Sequence, residues 1–248
     1  MNEPNKTGNP ILRTKAFTQP GVIGGDRATI AGTIGKSFIM LVLLTITAGW
    51  VWGQFYTTRS FETVTPYVIG GVIGGLVFAL ATSFKPNWSP ITAPLYAICE
   101  GLALGGFSAM FELRYPGIVI QAVGLTLAVA FGMLALYRTG VIKVTDRFRR
   151  MLFAATGGIM LFYLVTWIVS MFGVDMSTIY GHTGLSIGIS LVIVAIAAFN
   201  LVLDFDIISR QTAMGAPRFM EWYGAFALMV TLVWLYLEIL RLLGNTRR

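Results

Sequence analysis

The sequence predicts an all-α fold, a polytopic membrane bundle of about seven transmembrane helices with one continuous helical domain. Three observations predict it. Of 248 residues, 56% are apolar and only 12% are charged, about half the ~25% of a soluble domain. The apolar residues gather in uninterrupted runs of roughly 17–25, enough to cross about 30 Å of hydrocarbon. The basic residues collect between those runs and in the tails. A membrane barrel is excluded, because its strands alternate apolar and polar residues and these runs do not.

Residues Met1 to about Asp26 are polar and rich in Gly, Pro, Asn and Thr. They lack the apolar centre of a signal peptide and read as a disordered cytoplasmic tail. Asp26 is placed to cap a helix beginning at Arg27. Ile30, Ile34 and Phe38 then repeat every fourth residue, an amphipathic lead-in that would lie on the membrane surface. Gly32-Thr-Ile-Gly-Lys36-Ser37 imitates a phosphate loop, but the required first glycine is Ile30 and no strand precedes it. The spans follow near Phe38–Gly53, Pro66–Phe84, Ile91–Phe111, Gly117–Tyr137, Met151–Phe172, Thr183–Ile208 and Phe219–Leu243. Lys85-Pro-Asn-Trp-Ser-Pro90 makes a tight hairpin between the second and third, with Trp88 at the interface. Gly70, Gly71, Gly74 and Gly75 form two overlapping GxxxG patterns, and Gly101 and Gly105 a third. They are expected to pack helices within the chain, and a monomer is expected.

Lys and Arg set the orientation. With the N-terminus inside, Lys6, Arg13, Lys15, Arg27, Lys36, Lys85, the basic loop Arg138–Arg150, Arg210 and Arg218 all lie on the cytoplasmic side, as the positive-inside rule expects. Only Arg59, Arg114 and the tail arginines Arg241, Arg247 and Arg248 lie outside. The net charge of +7 therefore reflects topology, and nucleic acid is not an expected partner; the bilayer is. One cysteine, Cys99, and one histidine, His182, cannot build a zinc or iron–sulfur site, and no cofactor is expected. His182 opens the sixth run and reads as interfacial before it reads as a proton switch. Neither HExxH nor GxSxG is present, so no enzyme is expected.

The candidate functional residues are acids at membrane depth. Such an acid costs about 2.5–3.5 kcal/mol at a span centre and usually faces the protein interior. Glu100 stands mid-way along the third span with no basic residue within a turn. Asp204 lies in the last turns of the sixth, with Asn200 four residues earlier on the same side. Asp206 points about 200° away from Asp204 and has Arg210 at i+4 as a local partner. Glu238 sits near the end of the last span with Arg241 at i+3. Two aspartates pointing apart on one helix do not make an aspartyl-protease pair.

The third span's Ala97-Ile-Cys-Glu100-Gly-Leu-Ala-Leu-Gly-Gly-Phe-Ser108 resembles the "EGL-x-LG" helix of the Bax inhibitor-1 (transmembrane Bax inhibitor motif) family. Leu203-Asp204-Phe-Asp206-Ile-Ile-Ser-Arg210 and Glu238-Ile-Leu-Arg-Leu-Leu243 are similar to that family's acidic sixth-helix end and last span. The resemblance covers most of Lys36–Leu243. It implies a seven-helix bundle with the last helix central, in the inner membrane of a bacterium. It also implies a pH-sensitive calcium leak governed by two aspartates, on the last two helices, that share a proton. Asp204 matches the first of the pair and is the candidate for transient calcium contact. Thr231 stands where the second is expected, so Glu238 or Asp206 has taken that role or the sensor is altered. The alternative is a non-transporting protein that restrains membrane proteases or other integral proteins through its tail and basic loop.

Overall fold

The computed structural model describes residues 27–173 and 183–247. The expectations for Met1–Asp26 and His182 fall outside them. Seven helices follow in order: α1 (Ile30–Thr58), α2 (Phe61–Phe84), α3 (Ser89–Arg114), α4 (Ile118–Arg138), α5 (Asp146–Met171), α6 (Gly184–Ala213) and α7 (Met220–Thr246). All seven are long and apolar enough to cross a membrane. The described residues contain no strand, only an isolated bridge between Arg27 and Pro217.

The first helix does not begin at Arg27. Ala28 N–H donates to Ala216 O at 2.8 Å, so the connector before α7 holds Arg27 and Ala28 outside the helix. Thr29, with φ −124° and ψ 152°, is the cap, and its hydroxyl accepts from Gly32 N–H. Such a cap satisfies one of the four orphan donors of a helix start. From Ile30 the lead-in and the first span are a single helix, with Ile30, Ile34 and Phe38 exposed along it.

The helices alternate between two faces of the bundle. On the first face, where α1, α3, α5 and α7 begin, Ser89 Oγ donates to Phe219 O at 2.9 Å. There a 3-10 turn at Pro86–Trp88 closes the α2–α3 hairpin, with Lys85 Nζ 4.2 Å from the centre of the Trp88 ring. At the second face the Glu112 carboxylate accepts from Gly117 N–H at 2.6 Å and Val119 N–H at 3.1 Å. It places an anion on the positive end of α4.

Glycine sets the closeness of α3 to its neighbours. A Cβ on Gly71 would stand 2.6 Å from Cys99 O, and one on Gly105 would stand 2.5 Å from Ala48 O. The α2–α3 and α1–α3 backbones therefore touch only because these positions lack a side chain. The glycine patterns act within the chain.

The last helix is central. It packs against α1, α3, α4 and α6, and reaches α5 through Glu238 and Arg241. Half of the apolar window of α7 is buried, against 17% for α1, α2, α4 and α5.

Candidate functional site: the seam between α6 and α7

Three buried polar residues of α7 recur every seventh position. Thr231, Glu238 and Asn245 are 8%, 5% and 8% exposed. Seven residues turn a helix by nearly two full turns and advance it about 10.5 Å, so the three share one stripe. Helix α6 runs antiparallel beside it. The Thr231 hydroxyl donates to Ala227 O at 3.2 Å and lies beside the Asp204 carboxyl. Near the second face Asn245 Nδ2 donates to Ser186 Oγ at 2.9 Å and reaches Ser190 Oγ at 3.4 Å. Between these pairings the register puts Ala197 opposite Glu238, and the small alanine leaves Glu238 free to cross toward α5. Its carboxylate accepts a hydrogen bond from Tyr163, and Arg241 Nη1 lies 4.0 Å from it.

Asp204 is the acid that faces α7 across the seam. Among the described residues its Oδ2 is buried without a hydrogen-bond partner. A buried acceptor without a donor costs about 1–3 kcal/mol, and more if it is charged. The ionised form of Asp204 therefore calls for water or a cation in the seam, whereas the protonated form does not. A calcium ion takes six to eight oxygens. Among the described residues no three Asp, Glu, His or Cys side chains gather to hold a metal.

The other sequence-derived candidates go elsewhere. Asp206 Oδ2 accepts from Arg210 Nε at 2.7 Å and from Arg149 Nη2 at 3.0 Å, fastening α6 to α5 at the first face. Asn200 Nδ2 donates to Thr156 of α5 and to Ile196 O, each at 2.9 Å. It turns to α5 while Asp204 turns to α7, so the two do not form one polar patch. Glu100 lies in α3 against α2, where a Cβ on Gly75 would be 2.9 Å from its Oε2. No hydrogen bond or ion pair joins Glu100, Asp204 and Glu238 to each other among the described residues. Asp204 and Glu238 share the seam one heptad apart, and Glu100 does not reach it.

The sequence reading passed over Glu221. It is 4% exposed, forms an ion pair with Lys36 of α1, and accepts from both Thr29 N–H and the Thr29 hydroxyl at 2.8 and 2.9 Å. Two lone charges at the edges of the first and last spans were the only signal.

The family model described as Bax inhibitor 1 like matches residues 9–248. The chain belongs to that family. No curated protein and no solved structure matches it. Within this Bax inhibitor 1 like chain, the acidic end of α6 and the central α7 meet at Asp204 and Thr231, and the second carboxylate expected there is a hydroxyl.

Proposed function

We propose that the chain is a pH-modulated passive cation leak, with calcium among the ions it passes, and that the α6–α7 seam is its gate. One observation carries this reading: Asp204, in the α6–α7 seam, has a buried carboxyl oxygen without a hydrogen-bond partner among the described residues. Protonated, Asp204 fits a dry seam. Ionised, it favours a hydrated arrangement that admits cations, and the closed–open equilibrium shifts by the difference in free energy between the two. Glu238 is the second acid on the route, and the first face is cytoplasmic because the basic residues cluster there. The protein works as a monomer in the cell membrane, without a cofactor and without catalytic chemistry.

Calcium flux into liposomes across pH 6–8 tests the proposal. Flux should rise with pH in the wild type. Asp204→Asn should stay near the low-pH level throughout. Equal flux in both at every pH removes the assignment.

A second reading is an interaction protein that regulates membrane proteases or other integral proteins. Its support is the exposed basic loop, where Arg138, Lys143, Arg147 and Arg150 all face outward. Deleting Met1–Gly25 separates the two: a leak survives the deletion, and a tail-dependent adaptor does not.

A further inference from the structure

A cavity of about 290 Å³ lies between α1, α3, α4 and α7, on the far side of α7 from the seam. Its walls include Leu44, Gly49 and Trp52 of α1, Leu104 of α3, Val123 of α4 and Val233 of α7. The space is open on one side rather than enclosed, so its lining decides what can enter it. A buried water needs two to four polar partners, and this lining supplies few. The hydroxyls of Thr45 and Thr126 donate to Leu41 O and Ala122 O, each at 2.7 Å. Those of Ser108 and Tyr236 bond each other at 2.6 Å. Every lining hydroxyl thus already has a protein partner, and the occupant is apolar.

The shape says which apolar occupant. Helices α1 and α4 make no extended contact with each other, so the cavity opens between them toward lipid. Along α1 its lining runs from Leu41 to Trp52, about 16 Å at 1.5 Å per residue. That is close to half of the ~30 Å hydrocarbon core, the depth of one leaflet. Past Trp52 the same face of α1 continues with Tyr56, whose ring stacks on Trp52 at 5.7 Å, and Arg59, which lies 5.8 Å from the Tyr56 ring centre. Arg247, just past the end of α7, bonds Pro116 O at 2.9 Å and Gln121 Oε1 at 2.7 Å, beside Val119 and Val123 of the α4 wall. Neither arginine has an acid within ion-pair distance among the described residues.

We infer that this cavity binds one acyl chain of an anionic phospholipid from the leaflet at the second face, with its phosphate between Arg59 and Arg247. Guanidinium groups pair with phosphate bidentately, and an apolar slot beneath two cations matches no neutral lipid as well. The inference stands apart from the proposed leak.

The test uses the full chain in nanodiscs of zwitterionic lipid with a small fraction of diazirine-acyl phosphatidylglycerol, diazirine-acyl phosphatidylcholine or free diazirine fatty acid. Labelled residues are mapped by mass spectrometry. Phosphatidylglycerol should label the α1, α4 and α7 walls at least five-fold more than phosphatidylcholine. A Cβ on Gly49 would meet nothing within 4 Å, so Gly49→Phe fills the cavity and should cut that labelling at least five-fold. Gly157→Phe, on open surface of α5, should leave it unchanged. The milder Gly49→Leu covers the case in which Gly49→Phe does not fold. Arg59→Gln with Arg247→Gln should abolish the preference for phosphatidylglycerol. Labelling spread evenly over the lipid-facing helices and insensitive to Gly49 overturns the site. Equal labelling by the free fatty acid or by phosphatidylcholine overturns its ligand.

Discussion

The Thr231 hydroxyl on α7 meets the Asp204 carboxyl on α6 across a buried seam, and one oxygen of that carboxyl has no hydrogen-bond partner among the described residues. Thr231 therefore stands where a second acid would share a proton with Asp204. Two carboxyls in such contact retain one proton between them, because both cannot ionise side by side. On the proposed gating, Thr231→Asp should hold the seam closed at pH 8, with flux several-fold below that of the wild type. Calcium flux into liposomes from pH 6 to 8 measures it. A Thr231→Asp profile superimposed on wild type would show that Thr231 is not the partner position.

Glu238 predicts a different phenotype from Asp204. It is held by Tyr163 and lies near Arg241, one heptad nearer the second face. Tyr163→Phe removes a donor to a buried carboxylate, a loss of about 1–3 kcal/mol. Thermal unfolding in detergent should show a lower Tm for Tyr163→Phe, and Tyr163→Phe combined with Glu238→Gln should recover most of it. An additive loss in the double variant would mean that the two side chains do not act as a pair.

The contrast between these acids shows what the sequence could reveal. Runs of apolar residues mark the spans because length and composition alone decide them. Local spacing finds the Asp206–Arg210 pair, four residues apart. It cannot find Arg149, which reaches the same carboxylate from 57 positions away, or Lys36, 185 positions from Glu221. Asn200 and Asp204 share a nominal face, yet α6 lies between α5 and α7, and each of the two turns to a different neighbour. The start of α1 is hidden from local spacing for a related reason: its cap is chosen by contacts with Ala216 and Glu221, far along the chain.

The Lys36–Glu221 clasp ties α1 to α7 at the first face. Removing one member of a buried ion pair leaves the other uncompensated and costs about 3–5 kcal/mol. Glu221→Ala should lower Tm accordingly. Gly32→Ala should act through the same contact, because its Cβ would lie 2.1 Å from Glu221 Oε1 and would push the carboxylate off Thr29. The two substitutions together should cost much less than the sum of each alone. Strict additivity would show that Gly32 and Glu221 act independently.

The overlapping glycine patterns of α2 give the sharpest test of the packing. Gly71 faces α3 backbone, and its Cβ would stand 2.6 Å from Cys99 O and 2.7 Å from Ala103 N. Backbone cannot swing aside as a side chain can, so Gly71→Ala must push the two helices apart, at about 1–3 kcal/mol. Gly70 meets nothing within 4 Å. Gly70→Ala should be neutral or stabilising by up to about 1 kcal/mol, since alanine favours the helix more than glycine does. Tm measured side by side in one detergent should fall for Gly71→Ala and not for Gly70→Ala. A reversed order would mean that α2 meets α3 through its other face.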